Sequence, residues 1–191
     1  MSIFNKAFNN PPSPPEDRLR YAVLKNDIKT VQDLIKKGVD INAQDRQGFT
    51  PLIIAARHGR AMCARVLLGH GAEIDKKDYK GNSALLWAAF HGYGEVVDVL
   101  LEKGADIDAR GKNGTALTCA VYFQREGIVS ALLRHGANLE KKDPNGNTAM
   151  SLARKNGNED IGRMLHEVMV NRTQNRLREA ARRKPRPKFK P

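Results

Sequence analysis

An aliphatic anchor returns along the chain at Leu19, Leu52, Leu85, Leu117 and Met150, spaced 33, 33, 32 and 33 residues apart. Three residues after each anchor stands an alanine: Ala22, Ala55, Ala88, Ala120 and Ala153. Fifteen residues after each stands a leucine: Leu34, Leu67, Leu100, Leu132 and Leu165. Gly38, Gly71, Gly104 and Gly136 follow at nineteen, with Met169 breaking the series, and Ile41, Ile74, Ile107 and Leu139 lie three further on. Apolar and glycine positions held in phase over this length mark an internal repeat, not a set of local coincidences.

Each unit predicts two helices. A first helix of about two turns buries the Leu and Ala face and breaks at Asn26, Gly59, Gly92 or Gly157, residues that tolerate left-handed backbone. A second helix follows with an apolar stripe such as Val96, Val97, Val99, Leu100 and Leu101. Asp45-Arg46-Gln47-Gly48, Asp78-Tyr79-Lys80-Gly81 and Asp143-Pro144-Asn145-Gly146 then read as turns, Asp opening and Gly closing each. A unit this small buries too few side chains to offset its own ordering entropy, so neighbours must stack on it and the product is a solenoid.

Thr50-Pro51-Leu52 with Ala55, followed by the Gly71-Ala72 turn, resembles the ankyrin repeat family, and the likeness spans roughly residues 16–170. The other units keep the spacing but relax the motif, reading Ser83-Ala84, Thr115-Ala116 and Thr148-Ala149. The unit around Leu117 is one residue short and carries Gln124 where glycine is expected, so it should be the least regular. The resemblance implies an all-α ankyrin-repeat solenoid of five stacked helix–turn–helix units with an extended C-terminal helix. Its divisions are a Pro-rich lead-in over 1–15, repeats at about 16–44, 45–77, 78–110, 111–142 and 143–170, and a basic tail over 171–191. The last helix has a good start at Asn158, with Glu159 and Asp160 in its first turn, and nothing stops it before about Arg183.

Charge changes the picture at one end only. Of the net +12, the segment 171–191 holds nine Lys or Arg against Glu179 alone, so the body is nearly balanced. Arg172, Arg176, Arg178, Arg182, Arg183, Lys184 and Arg186 are the candidate contacts for an anionic partner. Sequence-independent, weak nucleic-acid contact is the most such a run supports, because no aromatic interleaves it before Phe189. Arg182-Arg183-Lys184-Pro185-Arg186 also resembles a nuclear import signal.

Candidate chemistry adds little. Cys63 and Cys119 occupy small apolar positions of the repeat and read as buried thiols. His58 and His91 share one repeat position, His70 and His135 another, so their recurrence follows the repeat and not a metal site; the helix dipole near each C-terminus suits a histidine. Neither metal nor cofactor is expected. No nucleophile, base and acid converge in the repeat frame, so the chain is not expected to be an enzyme. The longest apolar run, Ala84 to Phe90, is too short to span a bilayer, and Met1 to Lys6 lacks an apolar signal core. A monomer in the cytoplasm, or in the nucleus of a eukaryote, is the expectation.

Family partners bind the concave face, made of turn tips and the exposed side of each first helix. Carried over by repeat position, this implies a protein-binding set of Arg46, Phe49, Arg57, Tyr79, Lys80, Phe90, His91, Tyr122 and Phe123. Five are aromatic at places the stack does not obviously bury, and aromatic and arginine side chains dominate binding hot spots. The expected function is a scaffold, adaptor or inhibitor holding one unidentified protein partner. The alternatives are a nucleic-acid- or ribosome-associated factor tethered by its tail, or a toxin-neutralising immunity protein.

Overall fold

The computed structural model describes residues 14–183, in ten helices with no strand among those residues. They pair as α1 Pro15–Lys25 with α2 Ile28–Lys36, α3 Pro51–Arg57 with α4 Ala61–Gly69, and α5 Ala84–His91 with α6 Gly94–Glu102. Then come α7 Ala116–Tyr122 with α8 Glu126–Arg134, and α9 Ala149–Lys155 with α10 Glu159–Arg183. First helices touch first helices of neighbouring units and second helices touch second helices, giving two parallel layers. Between the layers runs one apolar seam, in which Leu19, Leu52, Leu85, Leu117, Leu67, Leu100, Leu132 and Leu165 are all fully buried.

Local chemistry starts three of the first helices and stops all five where the repeat predicts. Thr50, Thr115 and Thr148 accept hydrogen bonds from the backbone N–H of Ile53, Thr118 and Ser151 at 3.2–3.3 Å, satisfying helix-start donors. Asn26, Gly59, Gly92 and Gly157 all take the left-handed conformation between paired helices. Gln124 does too, at φ 55°, a strained choice for a residue with a Cβ. In the turns, Asp45, Asp78 and Asp143 each accept two backbone N–H groups through Oδ1 at 2.8–2.9 Å. The short unit lacks such an aspartate and closes instead by a two-way backbone bridge between Gly111 and Gly114, the local irregularity the sequence predicts.

A polar ladder absent from the sequence reading ties unit to unit. Oδ1 of Asn42, Asp75 and Asp108 accepts the backbone N–H of Glu73, Asp106 and Asn138 in the following unit at 2.9–3.0 Å. At the C-terminal end the seam is closed by substitution. Positions held by Ala89, Val97 and Leu133 in inner units, all buried, become Arg154, Gly162 and His166, which with Met150 and Val170 line an open groove of about 790 Å³. Asn158 caps α10 by accepting from Ile161 N–H at 2.9 Å.

Candidate functional site

The first helices and their turns carry a continuous aromatic patch across the second, third and fourth units. Phe49 meets Trp87 edge-on with centroids 5.7 Å apart, and Trp87 meets Phe90 at 5.9 Å. Phe90 meets Phe123 at 4.6 Å, and Phe123 meets Tyr122 at 5.0 Å. His91 stacks on Trp87 at 5.7 Å and on Tyr93 at 6.0 Å. The Arg57 guanidinium lies 5.1 Å from the ring centroids of both Phe49 and Trp87, a double cation–π contact. Trp87 is fixed at its other end, its indole N–H donating to Asp78 Oδ2 at 2.9 Å.

Repeat geometry explains the alignment. Arg57, Phe90 and Tyr122 are one position of the first helix, and His58, His91 and Phe123 are the next, so stacking the units lays these side chains side by side. Glycines let the rows close up. A Cβ on Gly59 would stand 2.7 Å from the Tyr93 ring, and one on Gly92 3.1 Å from Arg125 Nε.

Of the sequence-predicted residues, Arg57, Phe90, His91, Tyr122 and Phe123 come together here, with Tyr122 59% and Phe123 36% exposed. Phe49 belongs to the cluster but not to its surface. It is 9% exposed, part of the core, because Trp87 and Arg57 cover it and its N–H is held by Asp45. Arg46, Tyr79 and Lys80 lie apart on the exposed turns, where Tyr79 packs against Gly48 and donates its backbone N–H to the Gln47 carbonyl at 3.2 Å. Trp87, Tyr93 and Arg125 were missed. Trp87 sits inside the apolar run Ala84 to Phe90 and reads as core until the helix register places it beside Phe49.

The basic tail also needs correcting. Arg172 is not free for a partner: its guanidinium donates to the Ala137 carbonyl at 2.8 Å, in the turn after α8, and to the Leu133 carbonyl at 3.2 Å, which also accepts the Gly136 N–H. Arg176, Arg178 and Arg182 are exposed on the overhanging turns of α10, and Arg183 ends that helix. Lys184, Arg186 and the proline run up to Ser13 lie outside the described residues.

Electrostatics at the patch run against a simple dipole argument for histidine. His58 and His91 stand near helix C-termini, yet burial, reinforced by the Arg57 cation, lowers both below the usual 6.5 and favours neutral rings. Cys63 and Cys119 are free, buried thiols, pushed up to about 11 by burial, and so stay protonated at neutral pH. Among the described residues no group of three or more His, Cys, Asp or Glu gathers as a metal site, and no helix is long and apolar enough to cross a membrane.

Two stretches, residues 19–111 and 108–174, match the family model described as ankyrin repeats (3 copies). The chain belongs to the ankyrin repeat family. Ankyrin repeats are in general protein–protein interaction modules, and their fold is typically non-enzymatic.

Proposed function

We propose that this ankyrin repeat protein holds one protein partner on the aromatic face of its first-helix layer, acting as a scaffold, adaptor or inhibitor. The observation that carries the reading is the continuous run of rings from Trp87 through Phe90 to Tyr122, contributed by separate units and left partly open. A single exposed ring is ordinary on a soluble surface, whereas an aligned set is the composition of an interface hot spot. The test is quantitative affinity capture with intact protein and with Phe90→Ala and Tyr122→Ala, each checked for retained helicity. Loss of the same captured protein from both variants supports the reading; undiminished capture by both ends it.

A second reading keeps the tail. Every described side chain from Thr173 to Ala180 is exposed, and Arg176 and Arg178 among them favour contact with an anionic partner. A gel shift with RNA, made with and without residues 171–191, tests this: equal retention by both forms removes it.

A further inference from the structure

Two cations at the aromatic patch, Arg57 over its rings and Arg125 beside Gly92, form no ion pair among the described residues. The described ion pairs join Arg20 to Asp17, Arg65 to Glu102, Lys76 to Glu73 and Arg163 to Asp160. None of them involves Arg57 or Arg125, nor the exposed turn cations Arg46, Lys80 and Lys112. The aspartates of the turns that open the second and third units are committed to the fold. Asp45 Oδ1 holds the Gln47 and Phe49 amides; Asp78 holds the Lys80 and Asn82 amides, the Asn82 side chain and the Trp87 indole. Arg57 lies over two rings, so its fork is oriented before a ligand arrives, and a desolvated guanidinium is matched best by a carboxylate. Burial is the main reason His58 and His91 are lowered, and the Arg57 cation adds to the shift of both.

Resting on the interface reading above, we infer that the partner presents an acidic segment: carboxylates set on Arg57 and Arg125, flanking an aromatic or aliphatic anchor against Phe90 and Phe123. A nucleic acid fits less well. Trp87 is already stacked with His91 and covered by Arg57, and Phe90 is edge-packed on three sides by Trp87, His91 and Phe123, so open ring faces for bases are scarce.

The single tryptophan of the chain lies in this patch, so its emission reports occupancy of the site directly. The probe is a random peptide display library selected on the intact protein, followed by titration of synthetic copies of the enriched peptides against Trp87 fluorescence. The expected winners carry at least two Asp or Glu around an aromatic or Leu, shift the emission, and weaken roughly tenfold or more on Arg57→Gln or Arg125→Gln. Lys103→Gln, on the other layer, leaves them unchanged. Two variants guard against one that fails to fold, each verified by its helical spectrum. Winners that shift Trp87 but are neutral or basic overturn the acidic preference while leaving the interface reading intact. Acidic winners that leave Trp87 silent and are lost on Arg176→Gln with Arg178→Gln overturn both. Oligouridylate that displaces the peptides from Trp87 and binds tighter than they do overturns the peptide class.

Discussion

On the first-helix face the third unit carries Trp87, Phe90 and His91 where the fifth carries Leu152, Lys155 and Asn156. On the face turned toward the next unit it carries Ala89 and Val97, both fully buried, where the fifth carries Arg154 and Gly162. Backbone plan and turn are otherwise shared, Asp143 holding its turn as Asp78 does, although Thr148 caps α9 while Ser83 makes no such bond to α5. The middle of the stack therefore uses side chains to bind its neighbours and to offer rings outward. The end uses the same positions to meet water, which is what a terminal repeat needs to avoid further stacking.

The largest difference should appear when the seam is cut. Leu100→Ala, at a fully buried leucine, should cost about 2–5 kcal/mol and uncouple units on either side. Leu177→Ala, on the overhang where the side chain is 65% exposed, should change stability by no more than about 0.5 kcal/mol. Equilibrium urea unfolding of the two variants gives the comparison; equal losses would contradict it.

Glycine replacement should separate the regions by sign. At Gly59 an added Cβ meets the Tyr93 ring at a backbone φ of +68°, so Gly59→Ala should destabilise by about 1–3 kcal/mol. At Gly162 nothing lies within 4 Å and the residue is helical, so Gly162→Ala should stabilise by about 0.5–1 kcal/mol. Thermal melts of both variants should move in opposite directions.

Arg172→Ala should act only at the end. Losing both bonds to the Ala137 and Leu133 carbonyls should cost about 1–2 kcal/mol and loosen α10 beyond that point. Amide hydrogen exchange should quicken over 169–180 while α5 and α6 keep their protection.

The smallest effect is electrostatic and belongs to the middle. His58 and His91 titrate below 6.5 in the fold, so the unfolded chain takes up their protons first. Their contribution to stability is therefore whole above about pH 6.5 and declines as pH falls below it. The melting midpoint should drop over that range, and a His58→Gln, His91→Gln double variant should flatten the slope.

Much of the fold was written in the sequence because the repeat is enforced locally. A left-handed break at Asn26, an aspartate that folds its own turn at Asp45 or Asp143, and an N-cap at Asn158 each act within a few residues, and each leaves a recognisable letter at a fixed spacing. The two-layer stack follows, since modules too small to stand alone have one way to bury a shared apolar stripe. The alignment of Arg57, Phe90 and Tyr122 was legible for the same reason: one repeat position, one face.

What only the tertiary structure decided is how far each side chain is used up by a distant neighbour. Phe49 is sealed by a ring 38 positions away, Trp87 emerges from an apolar run to join the patch, and Arg172 is spent on carbonyls 35 and 39 residues back. Spacing names the face a residue shares. Burial and hydrogen-bond capacity depend on what the next unit places against it, and that is settled only when the units meet.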